Sequence, residues 1–281
     1  MAVVTTIKVF TLNGLIPTVL PISTLLPRRW LGGQLFDKPF TRRDIRYKNW
    51  LPVRAWAEEA AEKVIDEALK PGPKIFLGQS EGAEVCCIAL REGVGGADPE
   101  DNVFVLTGNP ERKYGGMLLA PNGVRPPWAK PAYGGVGFPA DTPFRVWDVA
   151  RQYDRFADFP TVNVKEALDN NAAGGSLHIN YTGVRVGDPA NVKRVEGNVT
   201  YELQPTFPMP MVRKFGKGLD RQAIEDQQIR ATVEKGYVRP SGLKVPTQTI
   251  ARLDEGDGGY DVVARRAVRV SDSRVIWNPF A

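Results

Sequence analysis

The chain has 281 residues but only one histidine and two cysteines. One imidazole and two adjacent thiols, Cys86 and Cys87, cannot supply an ordinary zinc site, which argues against metal-dependent hydrolysis. Neighbouring cysteines seldom bridge each other, so no disulfide framework is expected and both thiols read as small buried hydrophobes. Long unbroken apolar runs are also missing. The stretch LIPTVLPISTLLP is interrupted by Pro17, Pro21 and Pro27, which argues against a membrane-spanning helix. The amino terminus, MAVVTTIKVFTLNG, lacks the basic start and apolar core of a secretory signal, so a soluble chain without a signal peptide is expected. Charge of one sign is in short supply too: Lys and Arg exceed Asp and Glu by only 37 to 32, with no dense basic run. That balance describes a solvated surface and not a nucleic-acid footprint. There is no internal repeat or heptad seam.

What is present is a core-forming chain, 42% hydrophobic, whose first two-thirds alternate strand and helix patterns. The alternation predicts an α/β fold, a mostly parallel sheet flanked by helices. Strands are expected at Ile7 to Thr11, Lys74 to Leu77, Asn102 to Thr107 and Phe144 to Ala150. The clearest helix is Ala55 to Leu69, with Trp56, Ala60, Val64 and Ala68 on one face. Met117 to Pro139 is too rich in Gly and Pro for regular structure and too long for an idle connector. It is either a lid or acyl-binding wall, or a surface excursion over the sheet edge. After residue 216 the character changes to a polar helix, Arg221 to Lys235, and short β-rich runs such as YDVVARRAVRV and RVIW. Residues 1–216 are therefore read as the catalytic domain and 217–281 as a small helix-plus-strands extension, a docking or assembly element or a stabilising annex.

The stretch FLGQSEGAEV carries the chemistry. Gly78, Gln79, Ser80, Glu81 and Gly82 form G-x-S-x-G between an apolar run and a helical pattern, the context of a nucleophile elbow. A serine hydroxyl needs a base at neutral pH, and His178 is the only imidazole available. The acid belongs between them, just past a strand end. VWDVARQYDRFADFP supplies Asp148, Asp154 and Asp158; Asp148 lies inside the strand pattern, Asp154 is favoured and Asp158 is the alternative. The second aspartate is expected to hydrogen-bond the turn at Phe159-Pro160. An oxyanion would take backbone N–H bonds from Glu81 and from the Leu12-Asn13-Gly14 loop.

FLGQSEGAEV, FVLTGNPERKYGG, YDRFADFP, LHINY and YELQPTFPMPMVR, taken in that order, resemble the PE-PPE domain. That domain is the serine-hydrolase module of mycobacterial proteins and is similar in fold to cutinases and other α/β-hydrolases. The resemblance covers roughly Ile7 to Phe215. It implies Ser80, Asp154 and His178 as nucleophile, acid and base, and hydrolysis of acyl (lipid) esters, in the manner of an esterase, lipase or cutinase, without metal or organic cofactor. The chain departs from the family at Gln79 and Glu81, which replace the commoner Tyr and Gln, and at Arg155, which replaces a glycine. A carboxylate at Glu81 is expected either to pair with an arginine or to disturb the base. By the same resemblance the substrate is a lipid ester of a mycobacterial envelope. The missing signal and the added tail suggest the hypothesis of a bacteriophage minor tail protein carried on the virion, with tail or self-assembly partners through 217–281; a cytoplasmic esterase explains the missing signal equally simply. The alternative is a structural or host-binding protein that keeps the fold without turnover.

Overall fold

A computed structural model of the chain describes residues 6–14, 30–31, 33–48, 53–130, 137–213, 218–241, 243, 250–252, 258–261, 266–269, 277 and 279–280. The proline-broken stretch 15–27 lies outside them, as do residues 131–136 of the Gly- and Pro-rich excursion. Among the described residues no helix is long and apolar enough to cross a membrane.

Seven strands form the main sheet: β1 (Ile7–Leu12), β2 (Phe40–Asp44), β3 (Lys74–Gln79), β4 (Asn102–Thr107), β5 (Arg145–Arg151), β6 (Val192–Glu196) and β7 (Val199–Gln204). Their spatial order is β2-β1-β3-β4-β5-β7-β6, and every neighbouring pair is parallel except the β6–β7 hairpin. This is the α/β architecture expected from the alternation of strand and helix patterns.

Strands β3 and β4 read as unbroken apolar runs because both their faces are covered. Phe10, Phe76 and Phe104 stand in register on β1, β3 and β4 and stack at 5.4 and 5.1 Å between centroids. They face the core built by α1 (Val53–Ala68) and α2 (Glu81–Glu92). Along α1, Ala57, Ala60, Ala61, Val64 and Ala68 are buried while Glu58, Glu59 and Glu62 are exposed, the spacing of one helical stripe. Val9, Ile75, Leu77, Val103 and Val105 point the other way, onto Trp30, Leu31, Tyr181, Val184 and Val186.

The chain places β2 on one side of β1 and β3 on the other, so β1 and β3 flank a topological switch point. In open parallel sheets the crevice beyond the strand carboxyl ends at such a point is where ligands bind. The segment after β1 and the elbow after β3 both open there.

Helices α3 (Lys165–Ala173) and α4 (Gly175–Ile179) follow β5, and α5 (Leu219–Glu234) lies where the polar helix was expected, two residues earlier at its start. Helix α5 does not stand apart: Val233 and Tyr237 share a core with Tyr153, Ala167, Leu177, Met209 and Val212. Beyond it, β8 (Ile250–Arg252), β9 (Gly258–Asp261) and β10 (Arg266–Arg269) form an antiparallel sheet. Of the run RVIW only Trp277 is described, and it packs edge-on against Trp147 of β5 at 5.1 Å.

Ending the chain at residue 216 would uncover Tyr153, Leu177 and Met209 and remove the arginine that pairs with buried Asp158. An uncompensated buried charge and a lost core cluster together cost on the order of 5 kcal/mol, comparable to the whole stability of many domains. The shortened chain is expected to lose the cooperative thermal transition of the full chain, as followed by far-ultraviolet circular dichroism.

Candidate active site

Strand β3 passes into α2 through one residue, Ser80, at φ 56° and ψ −118°. For a residue with a Cβ this conformation is strained, by about 1–3 kcal/mol, and it persists only where the surroundings over-determine it. The flanking glycines are that surrounding. A Cβ on Gly78 would overlap the Gly82 carbonyl, and a Cβ on Gly82 would overlap the Leu12 carbonyl. The G-x-S-x-G spacing therefore has a steric reason: the helix start folds back over the strand end and onto β1, leaving Ser80 at the apex. Its amide is anchored to Thr107 O at 2.9 Å.

His178 lies on the short helix α4 and is 6% exposed. Its Nε2 is 2.7 Å from Ser80 Oγ, and its Nδ1 is 2.9 and 3.2 Å from the two Asp154 oxygens. A carboxylate only accepts, so the proton belongs on Nδ1 and Nε2 is left to accept from the serine, a tautomer assigned from this network. The Gln79 side chain donates to His178 O at 2.9 Å, and the Phe156 ring lies 4.4 Å from the imidazole.

Asp154 is fully buried just past β5. It accepts the amides of Phe156 and Ala157 at 2.8 and 3.0 Å and the Tyr181 hydroxyl at 2.7 Å. Burial alone would push its carboxyl up; the His178 imidazole and these donors outweigh burial and bring it below the ordinary carboxylate range. The other two aspartates are engaged elsewhere. Asp148, within β5, forms a buried ion pair with Arg112 at 2.8 Å and accepts from Asn109. Asp158 is held by both terminal nitrogens of Arg239 at 2.8 and 2.9 Å. The expected bond from the second aspartate to the Phe159-Pro160 turn is not what forms. Asp158 accepts the Tyr153 amide at 2.7 Å, and the Phe159 amide goes to Gly115 O, because the acid loop doubles back on itself at Tyr153.

Leu12, Asn13 and Gly14 do reach the elbow. A Cβ on Gly14 would stand 2.8 Å from both Ser80 Cβ and Gln79 Oε1, so only glycine admits this loop. The Tyr47 hydroxyl donates to the Asn13 carbonyl and pins the loop from behind.

Glu81, the first residue of α2, departs from expectation. Its side chain is buried, and among the described residues neither oxygen has a hydrogen-bond partner and no arginine pairs with it. Burial, helped by the nearby Glu84 charge, pushes its carboxyl up to about 8. A helix amino terminus favours a charge by only about 0.3–1 kcal/mol, whereas burying an unpaired carboxylate costs several, so the neutral acid wins. Arg155, the other departure, is exposed. Cys86 and Cys87 are buried and unbridged, and burial pushes both thiols up, as inert core residues require.

Within the Gly- and Pro-rich excursion, Met117, Ala120 and Ala129 cluster with Phe159, and Leu118, Val124 and Phe156 pack against them. The Met117 amide donates to Phe156 O at 2.8 Å. Phe156 thus joins this apolar cluster to the imidazole. Sequence reasoning missed Tyr181, Tyr47, Phe156 and Arg239. Only Tyr181 left a signal, the tyrosine three residues after the histidine in LHINY.

A parallel sheet with a serine at a strained strand–helix elbow, bonded to a histidine that is bonded to an aspartate, defines the α/β-hydrolase class. The chain belongs to the PE-PPE domain family, whose sequence profile matches residues 55–238. It is 31% identical over 189 residues to "Esterase PE16" of Mycobacterium tuberculosis (strain ATCC 25618 / H37Rv), an overlap of 62% of this chain and 35% of that protein. The chain thus spans about a third of that relative's length. A cutinase-like protein from Cryptococcus sp. superposes with a TM-score of 0.41 at 17% identity, over 63% of this chain and 87% of the other. For a metagenomic carboxyl esterase the values are 0.36, 14%, 86% and 74%.

Because folded Glu81 keeps its proton between about pH 4.5 and 8 while the unfolded chain releases it, this residue lowers stability as pH rises through that window. Glu81→Gln removes the slope. The variant is expected to melt near the wild type at pH 5 and a few degrees above it at pH 8, on the order of 2 kcal/mol. Equal melting temperatures at both pH values would mean that Glu81 ionises freely.

Proposed function

We propose that the chain is a carboxylic-ester hydrolase that works through Ser80, His178 and Asp154 and an acyl-enzyme. The observation that carries this is the continuous relay from Ser80 Oγ to His178 Nε2 at 2.7 Å and from Nδ1 to Asp154 at 2.9 Å. Membership of the PE-PPE family and the esterase name of the mycobacterial relative support it.

In the first half-reaction His178 Nε2 takes the Ser80 proton as Oγ attacks the ester carbonyl, and Asp154 stabilises the imidazolium that forms. The oxyanion takes the Glu81 amide and an amide of the Leu12-Asn13-Gly14 loop. Nε2 then passes its proton to the leaving alkoxide. In the second half-reaction His178 deprotonates water, which attacks the acyl-enzyme, and the acid and Ser80 are regenerated. The cluster around Met117, Leu118 and Phe156 is the apolar wall for the acyl chain. The outermost step of this reading is action on acyl esters of a mycobacterial envelope from a phage tail. It rests on the family alone and is checked by mass spectrometry of purified particles.

The deciding experiment is turnover of p-nitrophenyl esters of short to long acyl chains. Ser80→Ala and His178→Ala are each expected to lose about three or more orders of magnitude in kcat. Asp154→Asn should fall comparably, because an amide can hold the wrong tautomer of the imidazole. Wild-type rates no higher than those of the Ser80→Ala variant on every ester would leave the scaffold as a binding surface without turnover.

A further inference from the structure

Asp154 meets His178 only if the backbone just before it is correctly set, and that backbone is unusual. Tyr153 has φ 68°, one of the few non-glycine residues in the left-handed region among the described residues. A residue so placed relaxes unless it is held. Tyr153 is held at both ends: its amide donates to Asp158 Oδ2 at 2.7 Å, and its hydroxyl donates to Glu234 Oε1 at 2.7 Å and accepts from Arg230 at 3.0 Å.

Both anchors converge on one side chain. Arg239, 9% exposed, donates Nη1 and Nη2 to the two oxygens of Asp158 and Nε to Glu234 Oε2 at 2.7 Å. Its guanidinium lies over the Tyr237 ring at 4.6 Å. Only a planar fork with several donors can satisfy both carboxylates at once. Arg239 stands one residue beyond the stretch matched by the family profile, on the segment following α5.

We propose that Arg239 is a positioning residue of the catalytic site: through Asp158 and Glu234 it locks Tyr153 in its positive-φ conformation and so sets Asp154 against His178. This rests on reading Ser80, His178 and Asp154 as the triad. The segment after residue 216 then supplies part of the catalytic geometry.

His178 is the only histidine, so in a chain carrying no affinity tag of histidines its imidazole signal in NMR belongs to one residue. The experiment compares the wild type, Arg239→Lys, Arg239→Met and the double variant Asp158→Asn/Arg239→Met. It follows the His178 imidazole signal, kcat and KM for p-nitrophenyl butyrate, and the melting temperature. Arg239→Met is expected to change the His178 imidazole signal, because the ring and the Asp154 carboxylate are then less well aligned. It should lower kcat by about 10- to 100-fold with KM little changed, the cost of misplacing a group by about 1 Å. Arg239→Lys, which keeps the charge and loses the fork, should fall between.

If Arg239→Met does not fold, the double variant decides, since it removes the buried Asp158 charge while Glu234 keeps its bonds from Gln152 and Tyr153. A folded variant with wild-type kcat and an unchanged His178 imidazole signal overturns the proposal and leaves the esterase reading intact. A wild type with no turnover, whose His178 imidazole signal still changes in Arg239→Met, overturns the esterase reading and upholds the positioning role.

Discussion

The site exists because three stretches of backbone meet with no side chain between them. The end of β1 at Leu12, the loop at Gly14 and the first turn of α2 at Gly82 are in direct contact, and Gly78 lies under the same turn. Any Cβ at these positions would separate the strand end from the helix start and let Ser80 leave its strained conformation. The contact is available only because β1 and β3 are sheet neighbours while β2 lies on the far side of β1, which leaves the crevice above the two strands open. Sheet order, glycine placement and the serine at the apex of the turn are thus one constraint seen at three scales.

The stretch after β5 distributes charge in the same spirit. Three aspartates fall within eleven residues, and all three are buried. A buried carboxylate must be paired or strongly hydrogen-bonded, and the pairing decides what each can do. Asp148 is consumed by Arg112 and Asp158 by Arg239, so both are committed to holding structure. Asp154 alone is satisfied by neutral donors, two amides and a tyrosine hydroxyl, which leaves its remaining capacity facing the imidazole. An arginine at that place would compete for the charge that the base needs.

This division of labour explains what could be read in the chain and what could not. The elbow, the strands around it, the order serine, aspartate, histidine and the buried thiols are local patterns, and they were legible because sterics and burial act on neighbours in sequence. Asp154 and Asp158 could only be ranked, since what separates them is an arginine 81 residues after Asp158. Helix α5 reads as a detached polar element because its contacts with the domain include hydrogen bonds of Glu234 and Arg230 to Gln152, Tyr153 and Thr206, which leave no apolar stripe in the sequence. Glu81 was anticipated as a charged residue that either pairs with an arginine or disturbs the base. Burial, which composition does not report, makes it a neutral acid instead.

That neutrality matters for the chemistry proposed. In that mechanism Glu81 offers its amide to the oxyanion while its side chain belongs to the residue next to Ser80. A full negative charge buried close to a developing oxyanion would oppose it, because a low-dielectric surrounding screens the repulsion poorly. An oxyanion-hole donor is worth about 3–4 kcal/mol, and in the proposed mechanism a charged Glu81 would work against the donor that its own backbone supplies. Below about pH 8 the buried acid carries no charge, and the amide acts unopposed. The commoner glutamine of the family is neutral at every pH. This chain reaches the same electrostatic condition by burying its glutamate without a cationic partner among the described residues.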